Sequence, residues 1–109
     1  MKPIKKHDAA LYRIIEQKIT SMEYIILPHA KKRKRERNIL DLDIINILEG
    51  KRGYGRKRNK SKDKYEPDRE DWNYCIEGQN KDNEKICIII SFEKNLMPII
   101  TVIRINNHD

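Results

Sequence analysis

The stretch EKICIIISFEKNLMPIITVIRI, residues 84–105, decides the fold. Two runs rich in β-branched residues, 84–93 and 96–105, are separated only by Lys-Asn, which predicts two antiparallel strands joined by a tight turn. Both runs are apolar on both faces, so we expect both strands to lie in the centre of a sheet. Upstream, WNYCIEGQ at 72–79 and the turn NKDN at 80–83 extend the pattern to a third antiparallel strand.

The two cysteines of the chain fall within these strands. If Tyr74 faces the core together with Ile86, then Cys75 and Cys87 lie opposite each other on the other face of the sheet. Two cysteines are too few for a disulfide framework, and they are too far apart in sequence for a CxxC pair. We interpret both as small strand residues, since two cysteines on one hairpin do not complete a zinc site.

Before Gly50 the pattern is helical. Apolar residues at near-helical spacing predict an amphipathic helix over 6–22, with Asp8 as its N-cap. A short apolar piece, 24–27, leads to Pro28, which begins a highly charged helix over 29–37. A third helix over 40–50 ends at Gly50. Helices followed by strands indicate an α+β protein, with N-terminal helices packed on one face of a three- to four-stranded antiparallel sheet.

The segment between the helices and the sheet is polar and basic. Residues 52–58 are compatible with a short edge strand, and 59–71 form a polar loop without an obvious core residue. We therefore expect 1–109 to be a single domain with a basic mobile loop at about 51–71.

The net charge of +7 is concentrated in two places. Segment 31–37 has six basic residues and one acid, and segment 51–64 has eight basic residues and one acid, so the rest of the chain is net acidic. Two local basic patches on an acidic body are typical of binding to a phosphate backbone. The sequence contains no apolar stretch of membrane-spanning length and no signal-like start, so we expect a cytoplasmic protein that does not enter a membrane.

The first basic patch includes a histidine. On a helix, His29, Arg33 and Arg37 recur every four residues and share one face. An imidazole beside two guanidiniums fits RNA cleavage by the 2′-hydroxyl, in which His29 transfers a proton and the arginines bind the phosphate. The alternative is that His29 caps or packs at the helix start and the arginines are only solvated.

The second basic patch includes a tyrosine. If 52–58 is a strand, Arg52, Tyr54, Arg56 and Arg58 point to one face, where the ring could stack a base between the charges. The alternative is an irregular sheet edge whose basic residues only prevent it from pairing with another chain. His7, His29 and His108 are too far apart to suggest a metal site, and no phosphate-binding loop is present, so no metal or cofactor is expected.

The helix at 29–37 also carries a family signature. His29-Ala30, Arg33, Glu36-Arg37 and Ile39 fit the pattern H-A-x-x-R-x-x-E-R-x-I, followed by an acidic apolar helix and by strands with a Thr-Val step at 101–102. This order resembles a bacterial family of small domains with the HAxxRxxER signature, related to the RelE/MqsR-like ribonuclease toxins. Lys34, where relatives usually have an apolar residue, and the long basic insert at 51–64 depart from the pattern.

The resemblance implies a RelE-like fold and a metal-independent endoribonuclease of toxin–antitoxin type, with RNA as substrate and an acidic antitoxin as partner. Two other functions stay open: a non-catalytic nucleic-acid-binding module, and a protein-interaction domain that uses the basic face. The candidate catalytic residues are His29, Arg33, Arg37, Arg56 and, from the resemblance, Thr101. The candidate RNA-binding residues are Lys31, Lys32, Lys34, Arg35, Arg52, Tyr54, Lys57, Arg58 and Lys60.

Overall fold

The computed structural model describes residues 2–105 and shows an α+β architecture. The helices of this part of the chain are α1 (Asp8–Thr20), α2 (Pro28–Glu36) and α3 (Asp41–Leu48). The strands are β1 (Tyr24–Ile26), β2 (Lys57–Arg58), β3 (Tyr74–Gln79), β4 (Lys85–Ile90) and β5 (Met97–Arg104).

The strands form one sheet in the order β1-β5-β4-β3-β2. β3, β4 and β5 are consecutive antiparallel neighbours, as predicted, and β4 and β5 both lie inside the sheet. The expectation of an all-antiparallel sheet of three or four strands was wrong, because β1 adds a parallel fifth strand beside β5. A segment of three residues is too short to show strand periodicity, and its strand geometry depends on pairing with β5.

The core lies between the helices and one face of the sheet. Ile76 on β3 is paired with Ile88 on β4, and Ile88 with Val102 on β5, so three fully buried side chains form a row across the sheet. Ile15 of α1 and Ile47 of α3 belong to the same buried cluster. β3 and α3 approach closely: a Cβ added at Gly78 would lie 2.7 Å from a side-chain carbon of Ile47.

The ends of the helices are set by a capping side chain and by residues with positive φ. Asp8 is not the N-cap of α1; His7 is, and its Nδ1 accepts a hydrogen bond from the Ala10 N–H. Asn38 has a φ of 54° and ends the turn after α2, and Gly50 has a φ of 72° just beyond α3, where a residue without Cβ is favoured. In the described range, no helix has the length and apolar character needed to cross a membrane.

The segment 51–71 contains more structure than its composition predicts. Its strand is only two residues long, so 52, 54, 56 and 58 do not share a strand face, and that prediction was wrong. A short 3₁₀ turn follows at Lys60–Lys62. The Asp63 side chain is then fully buried, so the loop contributes a buried group after all. The mobility of this segment stays a prediction.

Candidate nucleic-acid interface

Helix α2 is held along the edge of the sheet. After β1, the Leu27 N–H donates to the Ile99 carbonyl at 3.0 Å, and Pro28 then begins the helix with the φ that a first turn requires. α2 packs against β5, and at its far end the Arg104 guanidinium donates to the Arg37 carbonyl. Ala30 is the fully buried residue of α2, so the packing leaves most of the helix surface to solvent.

The charges on α2 are only partly neutralised within the protein. Arg33 pairs with Glu36 at 3.2 Å, and its side chain remains 40% exposed. Lys34 pairs with Asp41 at 2.9 Å, and its side chain is 21% exposed. The other basic residues of the helix are exposed and have no ion pair within residues 2–105; they are Lys31, Lys32 and Arg35. The helix therefore presents positive charge that an external polyanion can neutralise.

His29 lies in the first turn of this helix, one turn before Arg33. Its side chain is exposed and makes no hydrogen bond to the described part of the chain. Leu27, the N-cap, offers no side-chain acceptor to the first turn. His29 therefore does not cap the helix and is not packed at its start, and its exposed side chain is accessible to a bound ligand.

Two further predicted site residues, Arg37 and Thr101, lie at the end of α2 and on the strand that α2 packs against. Arg37 is half-buried at the C-cap of α2, where its carbonyl accepts the bond from Arg104. Thr101 lies on β5, the strand that α2 packs against, and is half-buried opposite Ile89, on the face of the sheet that points away from the core. Thr101 is therefore on a strand that α2 contacts, but its side chain lies on the other face of the sheet from the core that Ala30 joins, and the described residues show no contact between Thr101 and His29.

Arg56 does not lie near His29 and the basic residues of α2. Its Nη1 donates to Glu16 at 2.8 Å and to the Leu48 carbonyl at 3.0 Å, and its guanidinium lies 4.1 Å from the centre of the Tyr12 ring. It precedes β2 at the edge of the sheet opposite α2, about three strand spacings (roughly 14 Å) from β5. This corrects the prediction that Arg56 binds the same phosphate as Arg33: here it ties α3 to α1.

Arg58 is also a structural residue. Its side chain is 1% exposed, and it donates to Asp8 at 2.9 Å and to Asp63 at 2.7 Å. Beside it, the Tyr74 hydroxyl donates to Asp71 at 2.6 Å, and burial together with Asp71 raises the pKa of Tyr74 well above its usual range. The prediction that Arg58 contacts RNA is therefore corrected, because a phosphate cannot reach it.

With Arg56 and Arg58 excluded, fewer residues of the second basic patch are available to bind RNA. Tyr54 is half-buried against the core and so presents only part of its ring to a base. Lys60 is exposed but lies 3.5 Å from Asp8. Arg52 and Lys57 are exposed without an ion pair in the described part of the chain. This surface stays available for weak phosphate contacts, but it is separate from the α2 face.

A cluster on the outer face of the sheet was missed by sequence reasoning. Cys75 and Cys87 share this face, as predicted, but they are diagonal neighbours: Cys75 is opposite Ile89, and Cys87 is opposite Glu77. The neighbouring Cys87 thiol, burial and the charge of Glu77 raise the pKa of the Cys75 thiol above its usual range. We call Cys75, Glu77 and Cys87 the cysteine cluster. The sequence did contain a signal for this cluster: Cys75 and Glu77 are two residues apart on a predicted strand and so point to the same face.

No curated protein and no solved structure matches the chain. A family model matches residues 26–104, a range that contains α2, α3 and strands β2 to β5. This range is most of the chain, and it includes His29, Arg33 and Thr101. The chain therefore belongs to the family described as a domain of unknown function, DUF4258.

Proposed function

We propose that this protein binds RNA through the exposed face of α2 and cleaves it without a metal ion, with His29 transferring the proton. One observation carries the proposal: an exposed histidine lies in the first turn of a nine-residue helix with five basic residues, three of which have no ion pair in the described structure. The resemblance of this helix to the HAxxRxxER signature of a small-domain family, which we relate to the RelE/MqsR-like toxins, supports the same proposal.

The proposed reaction uses the RNA's own nucleophile. The 2′-hydroxyl loses a proton and attacks the adjacent phosphorus, the bond from phosphorus to the 5′-oxygen breaks, and that oxygen gains a proton. His29 either accepts the first proton or supplies the second, and a solvent water takes part in the other transfer. Arg33 and Arg37 neutralise the charge that develops on the non-bridging oxygens. The products are a 2′,3′-cyclic phosphate and a 5′-hydroxyl, and no metal is needed.

Binding to single-stranded RNA is expected to depend strongly on salt. Lys31, Lys32 and Arg35 have no ion pair in the part of the chain that the structure describes, and Arg33 is partly exposed, so each contact to a phosphate releases a counterion. We expect the log–log plot of affinity against salt to have a slope that corresponds to about four or more phosphates. The measurement is a fluorescence anisotropy titration at several salt concentrations. A flat plot would leave only the protein-interaction function.

Cleavage is tested with an end-labelled RNA in the presence of EDTA. We expect the wild-type protein to cut this RNA and to leave a cyclic phosphate, because neither the nucleophile nor the proton transfer requires a metal. The control substrate carries a 2′-deoxy nucleotide at the cleaved position and should stay intact. A requirement for Mg²⁺, or cutting of the deoxy substrate, contradicts the mechanism. Tight binding without any cleavage identifies a non-catalytic nucleic-acid-binding module instead.

The proposal includes a protein partner. Unneutralised positive charge on α2 is complementary to an acidic protein, and such a partner would block RNA by covering the same face. In a toxin–antitoxin system this partner is the antitoxin, and both proteins act in the cytoplasm, where RNA is the target.

A further inference from the structure

The cysteine cluster brings two sulfur atoms and a carboxylate to one point on the outer face of the sheet. The two Sγ atoms and a carboxylate oxygen of Glu77 all lie within 4.8 Å of one another. The separation between Cys75 Sγ and Glu77 Oε2 is 4.0 Å. β3 supplies two of these groups and β4 the third, so neighbouring central strands fix their relative positions.

The spacing fits a metal ion better than a disulfide. Diagonal positions on antiparallel strands are about 7–8 Å apart, whereas the Cα atoms of a disulfide are usually about 4.4–6.8 Å apart. A tetrahedral zinc ion with Zn–S bonds of about 2.3 Å and Zn–O bonds of about 2.0–2.2 Å holds its ligand atoms about 3.6–3.8 Å apart. The three atoms of the cluster reach that geometry by side-chain shifts of about 1 Å or less.

We propose that Cys75, Cys87 and Glu77 form a binding site for a thiolate-preferring divalent cation of the Zn²⁺ type, with the fourth position open to water. Sulfur ligands favour zinc over the hard cations Mg²⁺ and Ca²⁺. Binding releases the protons of both thiols to solvent.

Two neighbouring side chains support the site. The Asn59 side-chain amide donates to Glu77 Oε2 at 2.9 Å and orients the carboxylate, which is the usual role of a group behind a metal ligand. Lys62 Nζ lies 3.8 Å from the same oxygen. Two thiolates and one carboxylate carry one more negative charge than Zn²⁺ balances, and the Lys62 ammonium offsets it.

The route to the site passes Glu77. Cys75 and Cys87 are buried, whereas the Glu77 side chain is 21% exposed and Lys62 is 51% exposed. An entering ion therefore meets the carboxylate first, beside the exposed Lys62 side chain. The thiols stay shielded from large reagents while a single ion reaches them.

The test is a Co²⁺ titration of the reduced, metal-free full chain. We expect one equivalent of Co²⁺ to produce the absorption of cobalt–thiolate bonds, and Zn²⁺ to abolish it by displacement. Zn²⁺ should also raise the thermal unfolding temperature, because it binds the folded state. Cys87→Ser should remove the thiolate absorption, and Glu77→Gln should weaken Co²⁺ binding by about tenfold or more. Glu49→Gln, a matched change at an exposed glutamate, should leave the affinity unchanged.

Two results would overturn the proposal. One is a folded, fully reduced protein that shows no cobalt–thiolate absorption at saturating Co²⁺. The other is an affinity for Co²⁺ that is the same in Glu77→Gln and in the wild type. If Cys87→Ser fails to fold, the Glu77→Gln titration still decides the question. Neither measurement uses RNA, so the outcome is independent of the proposed ribonuclease activity.

Discussion

His29→Ala is expected to lower the rate of RNA cleavage at saturating substrate by about 100- to 10,000-fold, the usual contribution of a catalytic proton donor or acceptor. RNA affinity should change little, because the positive charge of the α2 face comes from lysine and arginine side chains that the substitution leaves in place. The measurement is single-turnover cleavage of labelled RNA in EDTA, with affinity determined separately at a salt concentration that allows saturation.

Two variants on the same helix separate catalysis from binding. Arg33→Ala should lose both affinity and rate, since this partly exposed guanidinium is proposed to bind the phosphate that reacts. Lys34→Ala should weaken binding only slightly and leave the saturated rate unchanged, because Lys34 is paired with Asp41 on another side of the helix. Equal loss of rate in His29→Ala and Lys34→Ala would mean that charge, not proton transfer, limits cleavage.

The sheet could be predicted from sequence where its strands are long and locally connected. β4 and β5 are joined by a tight turn, so their pairing follows from residues that are close in sequence. β1 could not be recognised, because its three residues form a strand only by pairing with β5, about seventy positions later. At 52–58 the opposite error occurred: the alternation of basic residues predicted a strand over the whole segment, whereas β2 is only two residues long.

The candidate site shows the same contrast between features set by local sequence and features set by distant contacts. The face shared by His29 and Arg33 was predictable because helical periodicity places residues four apart on one side. The positions of Arg56 and Arg58 were not predictable, because Glu16 and Asp8, which they bind, are forty and fifty residues away in sequence. The second partner of Arg58, Asp63, is only five residues away, but its burial depends on the fold of the loop. Basic residues were predicted to face solvent because of their charge, and tertiary contacts decided otherwise for Arg56 and Arg58.

The buried Arg58 network connects the first helix to the loop after β2. Partial burial acts to raise the pKa of Asp8, but hydrogen bonds from Arg58 and the charges of Lys60 and Arg58 outweigh it and lower that pKa. A lowered carboxylate pKa stabilises the fold at neutral pH, and the stabilisation is lost as the pH falls through the pKa of the folded state. Asp63 also accepts a hydrogen bond from the Cys75 N–H, so it joins the loop to the sheet as well.

Arg58→Met is therefore expected to lower the free energy of unfolding by about 3–5 kcal/mol, because it leaves the fully buried Asp63 carboxylate without its principal partner. That loss is a large share of the roughly 5–15 kcal/mol that stabilises a domain of this kind. The measurement is urea denaturation at neutral pH. Lys57→Met, the adjacent exposed position, is the matched control and should change stability by less than about 0.5 kcal/mol.

A double variant, Arg58→Met with Asp63→Leu, distinguishes a lost ion pair from a general packing defect. Removing both charges eliminates the unpaired carboxylate, and Arg58 Nε already lacks a hydrogen-bond partner, so the double variant should recover most of the lost stability. A double variant as unstable as Arg58→Met alone would contradict this account. Under conditions in which Arg58→Met is still folded, its affinity for RNA should equal that of the wild type, because the Arg58 guanidinium holds the protein together and never faces the phosphate.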